Sequence, residues 1–378
     1  MPRRGPGTKQ SAVVVRPAIS PYLADPHDGF ARFNGLCSSF QKDKPPTRLM
    51  NDFCRTISAP DRPRKLVVLA FRGFSKSTTV ARYVAWRLYL NQQYKAAVAS
   101  KTLPFAKKWT KMVLDLIYRM DLLKHLRPGQ VEVDGKPEKQ RESVVAFDVA
   151  GSSVGVHPSV SAFGLGGQTT GSRGIDLIGD DIETPENTRT ASGRDMLYEQ
   201  ATEFSNLGII GEDVSEMYVG TPHHDESVYP KLVKEGFTLV IYPLVYPNAK
   251  EMEIIGQYLA PILKADLERD PSLVGKPTDS ERISMKFIEE KQRKRRNYMR
   301  QYQCLFRLPD VYKRPLRLSD LMVMSHEAAY GTERALWSNE SSCIIPELPS
   351  VGYHGDRWYR PIETSEKQRP FEDCVMAL

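Results

Sequence analysis

Lys76, Ser77 and Thr78 follow the apolar run Leu66-Val67-Val68-Leu69-Ala70 and the turn Phe71-Arg72-Gly73-Phe74-Ser75. Strand, tight loop, then a lysine and hydroxyls opening a segment of helical period is an order that binds phosphate. Free N–H groups and the positive end of a helix dipole face an anion there. Lys76 can reach β- and γ-phosphates, and Ser77 can place its oxygen on Mg²⁺. The strict spacing G-x-x-x-x-G-K-[ST] would put glycine at Ala70 and Ser75, so the loop alone also fits a buried strand and an ordinary amphipathic helix.

Two further stretches carry chemistry. Ile175-Asp176-Leu177-Ile178-Gly179-Asp180-Asp181-Ile182-Glu183 reads as an apolar strand ending in acids. On the strand beside the phosphate loop, Asp180 can orient a metal ion through its water shell and Asp181 can activate the attacking water. Glu183 points the same way as Asp181 if the strand continues. Paired acids at a strand end are also common in turns; their place about a hundred residues after the loop favours the metal reading. Val214-Ser215-Glu216-Met217-Tyr218-Val219-Gly220-Thr221 is a strand whose Thr221 can present a hydroxyl to a γ-phosphate.

The rest of the chain positions these residues. Lys65–Ala70 and Lys95–Ser100 read as buried strands, and the helix after the loop sets Val80, Tyr83, Val84 and Leu88 on one face. Thr102 and Pro104 open a long helix carrying Phe105, Trp109, Met112, Val113, Leu116 and Ile117 inward. Leu49–Ile57 reads as a helix, as does a short piece near Gly29–Phe40. Residues 127–141, with Pro128-Gly129 and Asp134-Gly135, form a loop or hairpin, and Ser143–Val149 and Val160–Leu165 are strands. Strand and helix alternate, which predicts an α/β fold with a mostly parallel sheet flanked by helices.

Composition narrows the class. The 378 residues are 40% hydrophobic and 26% charged, ordinary for a globular protein. No run approaches the roughly 18 apolar residues of a membrane span. Five scattered cysteines without a C-x-x-C pair argue against a disulfide framework or zinc cluster. A net charge of +7, from 53 basic and 46 acidic residues, points to a polyanionic partner or to a surface that is merely basic.

Taken in order, the motifs resemble the large terminase subunit of tailed bacteriophages, especially the short-tailed type. The matching pieces are Ala70-Phe71-Arg72-Gly73 through Lys76-Ser77; Gly171-Ser172-Arg173 leading into Gly179-Asp180-Asp181-Ile182-Glu183-Thr184-Pro185; Gly220-Thr221-Pro222-His223-His224 with Ser227-Val228-Tyr229; and Gln301-Tyr302-Gln303 before Arg307-Leu308-Pro309. The resemblance covers about residues 45–320. It implies a P-loop NTPase of the additional-strand type (ASCE) with a small α-rich lid. Such a protein assembles as a ring, a pentamer in this family, on a capsid portal protein, works with a small terminase subunit in the host cytoplasm, and pumps double-stranded DNA using ATP and Mg²⁺. It implies a phosphate site from Arg72, Gly73, Phe74, Ser75, Lys76, Ser77 and Thr78, a metal site from Ser77 and Asp180, and a base at Asp181. Coupling falls to Thr221, loop organisation or γ-phosphate contact to Arg72, and an arginine offered to the neighbouring subunit to Arg173.

Some positions depart from the family pattern. Ser75 replaces a glycine, and Asp181 stands where additional-strand ATPases usually carry Glu, which leaves Glu183 as the other candidate base. No adenine-reading Gln stands near Pro46–Asp52, where Met50 and Asn51 are found. Domains are expected at 1–44 (arm), 45–248 (ATPase core), 249–345 (lid) and 346–378 (linker and the start of a nuclease whose acids are missing). One lid helix is expected from Met285 to Gln303. DNA-contact candidates are Lys107, Lys108, Lys111, the 127–141 loop, and Arg293, Lys294, Arg295 and Arg296 within a run of five cations in six residues; a solvated face is the alternative. A helicase-type remodeller and a non-hydrolysing assembly protein are the other functional readings.

Overall fold

The computed structural model describes residues 18–133, 136–153, 155–167 and 173–306, and two short strands at 335–336 and 362–363. In chain order the elements are α1 Pro21–Ala24, α2 Gly29–Gln41, α3 Arg48–Ser58, β1 Lys65–Ala70, α4 Lys76–Leu90, β2 Ala96–Ser100, α5 Leu103–Arg119, β3 Gln130–Val133, β4 Lys136–Lys139, β5 Ala146–Phe147, β6 Val160–Gly164, β7 Asp176–Asp180, α6 Ala191–Ser205, β8 Ser215–Gly220, α7 Tyr229–Lys234 and β9 Thr238–Tyr242. Four further helices follow in the segment expected to form the lid, and they are called the lid helices below: α8 Ala249–Ile255, α9 Pro261–Arg269, α10 Met285–Gln292 and α11 Arg295–Gln301. Residues up to Arg307 make one unit. In the second, from Leu308, the described residues are β10 Ala335–Leu336 paired antiparallel with β11 Ile362–Glu363. Apart from β11, the expected linker and nuclease start at 346–378 lie outside the described residues, as do residues 1–17 of the arm.

A seven-stranded sheet organises the first unit, in the order β5-β6-β2-β7-β8-β1-β9. All neighbours pair parallel except the short edge strand β5 against β6. The central strands are buried along nearly their whole length, because helices cover both faces, and so they read as continuous apolar runs. The acid strand β7 is not beside β1, as the sequence suggested; β8 lies between them. That inserted strand makes this the additional-strand P-loop arrangement. Close approach fixes a glycine: a Cβ on Gly179 would lie 2.3 Å from a ring carbon of Tyr218 on β8.

Two expectations change. Phe105 of α5 is 45% exposed rather than inward; Lys101 Nζ lies 3.8 Å from its ring centroid and Lys108 Nζ 5.3 Å, so cations cover the ring in place of core. The helix expected over 285–303 breaks at Arg293-Lys294 into α10 and α11. Like charges three and four apart repel on one helix; beyond the break, Arg296 and Arg300 lie one turn apart on α11, with Asp225 between their charges.

The lid helices are fastened to the core by polar pairs whose acid is buried. Arg48 at the start of α3 grips Asp266 of α9 with two bonds of 2.7 and 2.8 Å, and Tyr246 Oη adds a third at 2.8 Å. Thr47 both caps α3 through Met50 N and donates to Asp279 at 3.0 Å.

Candidate nucleotide site

The loop between β1 and α4 is held from below and left open above. Phe74 is buried among Phe71, Phe53 and Tyr242, with ring centroids 5.1, 5.2 and 5.7 Å away. Ring packing of this kind, edge-to-face with both phenylalanines and tilted on the tyrosine, fixes the loop path without using its polar groups. Gly73 has φ +95° and Ser75 φ +66°. Ser75 thus takes the left-handed conformation that a glycine would adopt freely, at a cost of roughly 1–2 kcal/mol. Ser75 is also the N-cap of α4, and its side chain makes no capping bond. The first N–H groups of a fifteen-residue helix therefore have no side-chain cap.

Three strand ends converge beside that loop. Lys76 is buried, and its Nζ donates to Thr221 Oγ1 at 2.7 Å and to Ala70 O at 3.2 Å. Thr221 Oγ1 in turn donates to Ala70 O at 3.0 Å. Gly220 precedes it because a Cβ there would lie 1.9 Å from Tyr229 Oη. Ser77 Oγ donates to Asp180 Oδ1 at 2.9 Å. Burial first, and then the neighbouring Asp181 charge, push the Asp180 carboxyl up to about 7, against the pull of Ser77, Lys76 and Lys101. A hydroxyl and a carboxylate already in contact, one shared proton between them, are hard oxygen donors suited to Mg²⁺. Among the described residues no group of three or more His, Cys, Asp or Glu could hold a metal ion.

The two remaining acids differ in situation. Asp181 is half-buried at φ +45°, its backbone N bonded to Val219 O at 2.9 Å. Glu183 is buried, and both its oxygens are occupied by the loop after β8: His223 N donates at 2.8 Å and Val228 N at 2.6 Å. Burial pushes its carboxyl up to about 7, with those N–H groups pulling the other way. Its geometry is that of a brace for residues 221–228, and Asp181 alone of the two has a side chain not engaged in bracing.

That loop is gripped from its other side by the lid. Arg300 of α11 meets Asp225 through Nε at 2.6 Å and Nη2 at 2.7 Å, and Arg296 adds a contact at 3.4 Å. Burial would raise the Asp225 carboxyl; the Arg300 fork outweighs it and holds it below its ordinary value. The phosphate loop reaches the same helix: Arg72 N donates to Gln301 O at 2.8 Å and Arg72 Nη1 to Gln301 Oε1 at 3.0 Å. Arg72 is otherwise exposed.

Sequence reasoning missed Asp225, Arg300 and Lys101, and gave His223, which lies in the matched piece Gly220-Thr221-Pro222-His223-His224, no role. His223 Nδ1 is shut from solvent with no hydrogen-bond partner, and burial depresses the imidazole pKa. Lys101 follows β2, whose Ser100 pairs with Asp180; a cation at the carboxyl end of the strand next to the acids was the available signal.

Arg173 lies elsewhere. It precedes β7 at the end opposite Asp180, and its Nη1 donates to Asn206 O at 3.1 Å and Gly208 O at 3.0 Å. The strand alone is about 16 Å long, so Arg173 does not meet its own chain's phosphate loop. Among the basic candidates, Lys108 and Lys111 are exposed and Lys107 half-buried. Arg293, Lys294, Arg295 and Arg296 are exposed, with Arg296 partly engaged by Asp225. Within the 127–141 segment, Arg127 and Arg141 donate to backbone carbonyls of Tyr118 and Val156 and serve the fold.

No family model matches the chain. The large terminase subunit of enterobacteria phage T3 is 30% identical over 338 residues, 88% of this chain and 56% of that relative, so the chain spans little more than half its length. Among solved structures, the large terminase of a thermophilic bacteriophage is 12% identical, with 79% of this chain and 56% of that one covered at a TM-score of 0.36. The HK97 bacteriophage large terminase is 12% identical, with 69% and 50% covered at 0.39. A mutant ATPase domain of a Thermus phage large terminase is 10% identical, with 70% and 95% covered at 0.36.

Proposed function

We infer, from a kinship with a phage large terminase that runs along 88% of this chain, that the protein is the ATPase part of a viral DNA-packaging motor. The observation that carries the reading is the meeting of all three motifs at one place. Lys76 bonds Thr221 at 2.7 Å, and Ser77 bonds Asp180 at 2.9 Å in the same cluster of strand ends. Bound Mg²⁺·ATP supplies a phosphoanhydride bond whose hydrolysis drives movement.

The chain's own residues then have distinct tasks. The uncapped start of α4 and Lys76 bind phosphate, and Ser77 and Asp180 hold the cation. Asp181 accepts the proton of the attacking water. Glu183 positions the loop that carries Thr221, so that a change at the γ-phosphate is felt by Lys76 and Thr221 together. Through Asp225–Arg300 and Arg72–Gln301 that change reaches α11. Arg173 serves the neighbouring subunit's nucleotide in a ring of copies. Double-stranded DNA, a portal protein and a small terminase subunit are the partners, and the host cytoplasm the setting. Contacts to DNA are to phosphates, through Lys108, Lys111, Arg293 and Lys294, because a packaging motor must pass any sequence.

A third strand laid over duplex DNA tests translocation. ATP-dependent displacement of that strand, lost in Lys76→Ala and leaving the duplex paired, is expected. Separation of the duplex itself would establish the helicase reading instead.

A further inference from the structure

Thr221 is the side chain that the end of β8 offers most directly to a γ-phosphate, yet its hydroxyl is already engaged. Oγ1 donates its proton to Ala70 O at 3.0 Å and accepts from Lys76 Nζ at 2.7 Å, and a hydroxyl has no second donor. Asp181 has a different shortfall. Its side chain is shorter than the Glu of additional-strand ATPases, and one short acceptor fixes only one proton of an attacking water. In-line attack needs the oxygen lone pair aimed at phosphorus, so the orientation of the water matters as much as its place. A second acceptor beside Asp181 would set it.

His223 stands where that acceptor is needed. Pro222 precedes it with φ fixed by the ring. The backbone of His223 is held from two sides, its N donating to Glu183 Oε2 at 2.8 Å and its O accepting from Arg300 Nη1 at 3.4 Å. Asp181 is tied to the same loop, because its N bonds Val219 O at 2.9 Å. The imidazole therefore leaves a fixed point close to Asp181. The charges that reach the ring come from four elements around the phosphate site: Asp181 after β7, Arg72 of the phosphate loop, Lys101 after β2 and Lys76 at the start of α4.

The ring also has an unmet demand. It is half-buried, and its Nδ1 is shut from solvent without a hydrogen-bond partner. Buried polar atoms are nearly always paired, so an orphan in a binding site asks for a partner. Burial lowers the imidazole pKa, and Arg72, Lys101 and Lys76 add to this against the pull of Asp181. A neutral imidazole has one nitrogen free to accept. With the backbone held, the soft coordinate is χ2, which is broad for histidine. The ring can thus turn its acceptor toward a molecule that the nucleotide brings.

We propose that His223 is a catalytic residue that accepts a hydrogen bond from the attacking water and so aims it at the γ-phosphorus beside Asp181. The proposal rests on the ATPase reading above and adds to it a residue outside the matched phosphate and metal positions. As the water oxygen bonds phosphorus, one of its protons passes to Asp181. The bond from phosphorus to the bridging oxygen breaks, and its electron pair leaves with ADP. The second proton stays on the new phosphate, and His223 neither gains nor loses one.

Steady-state hydrolysis and nucleotide titration of the whole chain, with Lys76→Ala as the inactive control, test it. His223→Ala should lower kcat by about a hundredfold. KM and the affinity for a non-hydrolysable Mg²⁺·ATP analogue should stay within about threefold of the parent. His223→Asn places an oxygen near the position of Nδ1 and His223→Gln near that of Nε2; one of the two should recover at least about tenfold of the loss. Denaturation midpoints should not fall, because Glu183 and Arg300 bond the backbone of His223 and not its ring. A kcat for His223→Ala within about twofold of the parent would overturn the proposal. So would a loss matched by weaker analogue binding, which would make the ring a phosphate ligand, a loss that tracks a lowered midpoint, or no recovery in either amide variant. Parent protein that turns over no faster than Lys76→Ala would instead remove the ATPase reading itself, and His223 with it.

Discussion

The chemistry of the site turns on which acid is free to act. Glu183 spends both oxygens on the backbone of residues 221–228, so Glu183→Gln can keep only one of those bonds as an acceptor. It should lower stability by about 1–3 kcal/mol and slow turnover by displacing Thr221. Asp181→Asn should stop turnover with nucleotide affinity nearly intact, since binding needs no proton acceptor. Normal hydrolysis by Asp181→Asn together with a dead Glu183→Gln would reverse the assignment. The two carboxyls raised to about 7, Asp180 and Glu183, also give a signed pH effect. Between their unfolded values near 4 and about 7 the folded chain binds more protons than the unfolded one, so stability falls as pH rises through that window. Metal-free protein should show this part of its stability at about pH 5 and lose it by about pH 8, with Glu183→Gln flattening the slope. The Mg²⁺ requirement runs oppositely, because neutral Asp180 is a poor ligand: half-saturating Mg²⁺ should rise as pH drops from about 8 to about 6. A slope unchanged in Glu183→Gln would show that the carboxyl is already ionised in the fold. Lys76, Ser77, Asp180 and Thr221 were legible in sequence because residue type and a strand end sufficed to mark them. Asp225 and Arg300 were not, since an ion pair across 75 positions leaves no local pattern.

Elements were legible where burial follows a period. β1, β2, β7 and β8 announce themselves because both faces are covered, and α4 follows directly from the loop. The order of the strands was less so: β8 separates β7 from β1, a fact of pairing and not of composition. The lid helix expected as one piece breaks where charge repulsion outweighs helical period. Ser75 is the element-scale anomaly, a side chain in the conformation that starts α4. Ser75→Gly removes the left-handed strain and loosens the unfolded chain, effects of opposite sign, so stability should rise by no more than about 1 kcal/mol. Ser75→Val, β-branched at positive φ, should lower it by more than about 1 kcal/mol. Denaturant midpoints measured on the three proteins decide this; a stabilised Ser75→Val would mean that the loop does not keep this conformation in solution.

At the scale of the whole chain, two loops that face the phosphate site are both tied to α11, one by Arg72–Gln301 and one by Asp225–Arg300. Arg173, at the far end of β7, bonds Asn206 O and Gly208 O and does not reach its own chain's phosphate loop; the service to a neighbouring copy proposed for it is what assembly would supply. Hydrolysis in the proposed motor then depends on Lys76 within a chain and on assembly between chains. Steady-state phosphate release by the pure protein with Mg²⁺·ATP, followed over a series of protein concentrations beside Lys76→Ala, tests this most directly. Release whose rate per subunit rises with concentration, and which Lys76→Ala abolishes, is the predicted result. Equal release by Lys76→Ala, or none from the parent protein at any concentration, would contradict it.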